Sequence, residues 1–328
     1  MDGADQSAHD LPKVLGRIPK TLAPWPQKLQ CIVGHGALLT MFNLLSVVQG
    51  GANMAVSCLM RFLQVLAVPL EGTLYLQVDG GSENWNQVLF AIIDLLFDVY
   101  DNLQLVVVSR LPVGHTHIDI DRFFSYLNGL LFGSSGGGRS RGADVYTKKD
   151  FQDIFYKAMS NNRDTMLMDH LLEDVSSVYD WWNWLQPHLY KGFHGYGSAG
   201  NVHVMRFQRR GEGTPHISYK YWHQSTQWLP ADGSSLKTLN TRPNLKDLTS
   251  LQLCPPMKDH VETLVRLQKP LLKWMREQEQ TGLVTSEQVA SWKSYFLTLG
   301  NLYACVLTIC YGVICVHVRM VNLCVCYR

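Results

Sequence analysis

LYLQVDGGSENWN, residues 74–86, reads as a short strand that closes on an acid, Asp79, followed by a Gly80–Gly81 turn and the start of a helix. Beyond it Trp85, Val88, Leu89, Ile92, Ile93, Leu96, Val99 and Tyr100 recur every three or four residues, the stripe of an amphipathic helix begun through Ser82. QLVVVSRL (104–111) then reads as a strand of the buried type, because its apolar residues run on without alternating. Strand, helix and strand in this order build an α/β sheet and put Asp79 at its carboxyl edge, where sites of such sheets form.

Upstream, LQCIVGHGALLTMFNLLSVV (29–48) is a hairpin broken at Gly34 to Gly36. GANMAVSCLMRFLQVL (51–66) has a helical stripe in Met54, Leu59, Phe62, Leu63 and Leu66, and Pro69 and Gly72 stop it. Downstream, IDIDRFFSYLNGLLF (118–132) begins a helix with acids in its first turn. The series is an acid at the start, a hairpin, a helix, a strand with an acid at its end, a helix, a strand and an acid-led helix. That is the order of a ribonuclease H-like mixed sheet with flanking helices, its first strand cut short, and it sets a core at 1–132. GSSGGGRSRG opens a Gly/Ser/Arg linker at 133–145. A helical and β-rich extension follows at 146–300. In it FQDIFYKAM and HLLEDVSSVYDWWNWL read as helices, the segments of 202–228 as short strands, and MKDHVETLVRLQKPLLKWMREQEQTG as a helix with Lys and Arg on its polar face.

With 46% hydrophobic and 17% charged residues, the chain of 328 residues has the composition of a globular protein. Its 29 basic and 27 acidic residues are too balanced to demand a polyanionic partner, so any grip on nucleic acid has to be local. No apolar leader follows a basic start, and Cys31, Cys58 and Cys254 are scattered as reduced thiols are; both suit a nuclear or cytoplasmic protein. Cys305, Cys310, Cys315, Cys324 and Cys326 crowd an apolar tail at 301–328. YACVLTICYGVICV (303–316) offers a tail anchor in the membrane, the alternative location, but His317 and Arg319 interrupt it, and an Arg at mid-span costs about 2.5–3.5 kcal/mol. The tail is made of residues that alternating TG, TA and CA dinucleotides encode, which reads as translated noncoding sequence.

Separated carboxylates on an α/β sheet are the protein's share of a two-metal phosphodiester centre. Asp79 is the first candidate; as a plain structural residue it would start the turn or cap the next helix. Glu83 and Asn84 stand close enough to assist, Glu83 also serving the helix dipole. His115, His117, Asp119 and Asp121 alternate, so an extended stretch presents all four on one side, whereas a helix leaves Asp119 and Asp121 in its first turns. The two histidines are metal ligands or, as we favour, orient the acids. Asp2 and Asp5 are the acids available to the first strand. HTHID also matches the start of an H-x-H-x-D-H zinc run, which would make the chain a zinc metallohydrolase. Ile120 stands where that run needs His, and His170, His188, His194 and His203 form no companion motif. Arg209, Arg210, Lys220 and Trp222 mix cations with aromatic rings as nucleic-acid surfaces do, and as ordinary strand surfaces also do.

With DGADQS at the start, LYLQVDGGSENWN and GHTHIDIDRFFSYL in this order, the chain resembles the transposase-like domain family of eukaryotic mobile-element proteins. Members carry an acid-led DG-D-Q segment, a strand ending in Asp with Asn nearby, and a GHTH-x-D-x-D-x-F-S run. The resemblance spans about residues 2–132, and GHTHIDIDRFFS is its specific part; GGSEN stands where an asparagine-rich turn is usual. It implies a ribonuclease H-like fold with a DDE/D-type centre carried onto Asp2, Asp79 and Asp119, with Asp121 as the alternate third acid. It further implies two Mg2+ or Mn2+ ions, DNA as the partner, self-association, and no small-molecule cofactor. The expected ancestral activity is metal-dependent DNA strand cleavage or transfer; the rival is an inactive interaction module that keeps the fold.

Overall fold

A computed structural model describes residues 1–3, 10–14, 19, 22, 24–66, 69–110, 119–132, 142–161, 168–192, 202–211 and 213–310; for Asp2 and Asp119 it describes the backbone. In chain order the strands are β1 (Asp2–Gly3), β2 (Gln27–Gly34), β3 (Leu38–Leu45), β4 (Gly72–Val78), β5 (Leu103–Arg110), β6 (Asp169–Val175), β7 (Val204–Gln208) and β8 (His216–Lys220). The helices are α1 (Ala52–Val65), α2 (Gln87–Val99), α3 (Asp119–Phe132), α4 (Lys148–Asn161), α5 (Trp181–Leu185), α6 (Lys258–Gln280) and α7 (Ser286–Cys310).

The fold is mixed α/β, with two mixed four-stranded sheets of order β1-β2-β3-β6 and β4-β5-β7-β8. In the first, β1, β2 and β3 are antiparallel and β6 runs parallel to β3; in the second, β4 and β5 are parallel and β7 and β8 antiparallel. Met1 joins them. Its amino group donates to the Gln77 carbonyl at 2.9 Å, and its own carbonyl accepts from the Asp79 N–H at 3.2 Å. This is the bonding of a parallel pair with Met1 beside Val78, so the next residues in register are Asp2 and Asp79.

Local chemistry explains the elements. Gly36 holds φ +73° in the β2–β3 turn, a conformation only glycine adopts at little cost, and β3 is buried along its whole length. α2 is buried on nearly every side, which is why its stripe is so wide. Its N-cap is Asn86 rather than Ser82: the Asn86 side chain accepts the Leu89 N–H at 3.0 Å, a bond that Ser82 stands too far upstream to make. Asp94, inside this apolar helix, is matched by Arg242, which donates to it at 2.6 Å and also reaches Asp98, and by the Thr238 hydroxyl. Burial pushes the Asp94 carboxyl up, and the Arg242 charge and the Thr238 hydrogen bond oppose that shift.

Two expectations change. HLLEDVSSVYDWWNWL is a strand, β6, and a one-turn helix, α5, rather than one helix. The acids of β6 find partners on both faces of an edge strand: Glu173 accepts from Arg61 at 2.9 Å, and Asp174 from Asn43 at 2.6 Å and Lys148 at 3.0 Å. The division at residue 132 also does not separate two bodies, because β6, β7 and β8 complete the sheets begun before it. The compact units are Met1–Leu267 and Gln268–Arg328. Most of the 133–145 linker lies outside the described residues, but Val145 pairs with Lys13. In the second unit the Trp292 and Phe296 rings stack at 5.4 Å, and α7 runs through position 300 to Cys310. No described helix is long and apolar enough to cross a membrane; residues 311–328 lie outside the described part.

Removing Arg242 strands the buried Asp94 carboxylate. Arg242→Met is expected to lower the unfolding free energy by about 3–5 kcal/mol, and Arg242→Met with Asp94→Leu to recover much of that loss. Urea unfolding of both variants checks this, and a double variant no more stable than the single one would contradict it.

Candidate functional site

Because β1, β4 and β5 run parallel, their carboxyl ends share one end of the sheet, where β2 also begins and β3 stops. Asp79 stands there, just past β4, and the turn shapes its carboxylate. Oδ1 accepts the Gly80 N–H at 2.6 Å. Oδ2 lies beside Gly81, where a Cβ would sit 3.4 Å from it and 3.7 Å from Glu83 Cγ, so the absence of a side chain at Gly81 leaves room between the two acids. The chain then folds back through Asn84 and Trp85, whose N–H groups both bond the Gly81 carbonyl at 3.0 Å. Asn84 is fully buried, and neither atom of its amide has a partner. Such a group costs about 1–3 kcal/mol, so a polar ligand that reached it would gain affinity. Trp85 packs edge-on against Phe90 at 4.9 Å and lies 5.1 Å under the guanidinium of Arg110, the last residue of β5. At Lys28, the second residue of β2, burial lowers the ammonium below its ordinary range, and the Glu83 charge opposes this.

Asp2 and Asp79 are therefore neighbours in backbone register. Asp121 is half-buried in the first turn of α3, which packs against β2, the strand next to β1. Asp119 opens the same helix. His115 and His117 lie outside the described residues. Among the described residues no three His, Cys, Asp or Glu side chains form a metal-holding group. The histidines weighed for zinc are dispersed: His170 on β6, His188 bonded through Nδ1 to Thr241 at 2.6 Å, and His203 stacked on Trp222 at 4.4 Å. His194 lies outside the described residues.

The basic residues divide by what they touch. Arg209 donates to the carbonyls of Phe97 at 2.7 Å, Tyr100 at 3.1 Å and Leu103 at 2.9 Å, and its guanidinium covers the Phe97 ring at 5.3 Å. It thus closes the carboxyl end of α2, whose last carbonyls have no helical partner. Arg210 is exposed, Trp222 rests on His203, and Lys220 sits 4.6 Å over Trp228. Sequence reasoning passed over the other members of this surface. Arg206 covers the same Trp228 ring at 4.1 Å and donates to Ser218 at 3.0 Å. Register places Arg206 across from Val107, and Val107 across from Tyr75, which is 74% exposed. One face of the second sheet therefore carries two cations on an indole and an open phenol ring, a mixture found on nucleic-acid surfaces and on ordinary strand surfaces alike. The only signal in the sequence was the odd-numbered place of Arg206 in VMRFQ, which sets it opposite Phe207 across the strand.

Residues 21–225 match the model of the family described as Domain of unknown function (DUF7869). The match covers more than half of the chain, and the protein belongs to that family. No curated protein and no solved structure matches it.

Arg209 and Arg206 should therefore separate in experiment. Arg209→Gln is expected to lower stability by about 1–3 kcal/mol in urea and to leave oligonucleotide affinity unchanged. Arg206→Gln should hold stability and reduce the salt slope of binding by about 1, as expected for one lost phosphate contact. Fluorescence anisotropy across a salt series reads the second effect, and the reverse pattern would move the nucleic-acid role to Arg209.

Proposed function

We propose that the chain is a transposase-derived, ribonuclease H-like protein whose ancestral reaction is metal-dependent cleavage or transfer of a DNA strand. One observation carries this reading. The pairing of Met1 with β4 sets the neighbours as β3-β2-β1-β4-β5, with helices after β3, β4 and β5, and aligns Asp2 with Asp79 at the carboxyl end. Asp2, Asp79 and Asp119 are the acids of the centre in this reading, with Asp121 as the alternate third.

The groups at Asp79 suit a hard cation. Its Oδ2 faces the space kept by Gly81, and the Glu83 side chain borders the same space. Oxygen donors of this kind favour Mg2+ or Mn2+ over zinc. Asp79, Asp2 and one acid of α3 would hold the ions, which when bound supply activation of water or a 3′ hydroxyl and stabilise the leaving oxygen. The protein's own residues do the positioning. The Gly80 N–H fixes the Asp79 carboxylate, Lys28 offers positive charge at the same sheet end, and Arg206, Lys220 and Trp228 hold the strand by its phosphates and bases. His115 and His117 orient the acids, the protein associates with itself on DNA, and its place is nuclear or cytoplasmic.

A second reading is an interaction module without catalysis. It draws on the stacking surface of Tyr75, Arg206 and Trp228, which needs no metal, and on the Gly80 N–H, which already gives Asp79 a structural duty.

Thermal melting with and without Mn2+ distinguishes them. A resident site raises the wild-type melting temperature, by about 2.7 kcal/mol of added stability at a hundredfold excess over Kd. Asp79→Asn keeps the turn, because Asn serves such positions about as well, and should lose most of that gain. An equal metal response in wild type and Asp79→Asn would leave the interaction module standing.

A further inference from the structure

Resting on the reading that the substrate is nucleic acid, we propose that a cavity of about 460 Å3 at the sheet end that carries Asp79 holds one nucleotide unit, with its base edge on Gln27 and its phosphate on Lys28. The cavity is walled by Asp10, Gln27, Lys28, Ser46, His260 and Thr263. Gln27 begins β2 and Ser46 follows β3, so the cavity opens at the sheet end that carries Asp79, and Lys28 feels the charge of Glu83 from that side. Its volume falls in the range of about 300–1,000 Å3 that small-ligand sites occupy.

Its polar groups are unspent. Gln27 is 1% exposed, and neither Oε1 nor Nε2 has a partner; Ser46 is 4% exposed, and its hydroxyl has none. Burying three such atoms at one wall is costly unless something polar visits them. A glutamine amide offers a donor and an acceptor side by side, which matches adenine, whose N6 and N7 present the complementary pair.

Charge sets the other end. Lys28 Nζ has one long contact, 3.5 Å to the Val48 carbonyl, and Arg266 reaches Thr263 Oγ1 at 3.1 Å. Lys28 from β2 and His260 and Thr263 from α6 border the cavity, and just before α6 the Met257 N–H bonds the Val47 carbonyl at 2.9 Å. Asp10 and Glu83 are anions on that side, and burial raises the Asp10 carboxyl above its ordinary range.

Calorimetric titration of the full chain in EDTA, with dAMP, dCMP and inorganic phosphate in turn, tests this without the metal centre. The expected order is dAMP tightest and phosphate weakest. Gln27→Leu and Gln27→Glu should each weaken dAMP by about tenfold or more, a loss of one bidentate base contact. Lys28→Met should weaken dAMP and dCMP alike. Gln27→Leu relieves an unpaired buried amide and is expected to melt no lower than wild type, which shows that its lost binding is not lost folding. Affinity for dAMP no greater than for phosphate, or wild-type affinity in either Gln27 variant, overturns the proposal. Failure of metal-dependent cleavage with dAMP binding intact would count against the cleavage reading alone.

Discussion

Two hydrogen bonds between Met1 and the end of β4 set the geometry on which the candidate site depends. Each is worth only about 1 kcal/mol net, but together they join two four-stranded sheets and fix which residues meet. A slip of one residue would set Asp2 beside Val78 or Gly80 in register instead of Asp79. The hairpin supports the joint from its other side, where Asp2 lies opposite Cys31 and Cys31 opposite Met41, both fully buried.

The polar groups of the molecule serve different ends. Arg209 and Arg242 use their donors on α2, one on the carbonyls of its last turn and the other on Asp94 and Asp98, so these buried groups have partners and the helix is held in place. At the end with Asp79, Asn84, Gln27 and Ser46 keep polar atoms buried without partners. Buried amides of this kind cost stability, and a polar partner that reached them would relieve that cost.

What could be read from the sequence was what neighbouring residues decide. The hairpin at Gly36, the stripe of α2 and the turn after Asp79 are local, and each lies within a few residues of where the spacing put it. Contacts distant in sequence were not legible. HLLEDV reads as helix because nothing within it shows that Asn43, Arg61 and Lys148 partner its acids in β6. Arg209 has the composition of a nucleic-acid contact, yet carbonyls from Phe97 to Leu103 claim it. Gln27, Lys28 and Ser46 meet only because β2 and β3 are antiparallel, and no motif marks them. The Asp79 carboxylate was visible for the opposite reason: two glycines directly after an apolar strand announce a turn at a sheet edge.

The central claim is that Asp2, Asp79 and an acid of α3 share one cation site at the carboxyl end of the joined sheet. Anomalous diffraction from crystals grown with Mn2+ tests it most directly. A peak within coordination distance of Asp79 Oδ2, about 2.0–2.2 Å for a small divalent cation, with Asp2 as a second ligand, is the predicted result. A map with no peak at Asp79, or with its peaks bound by residues elsewhere, would contradict it.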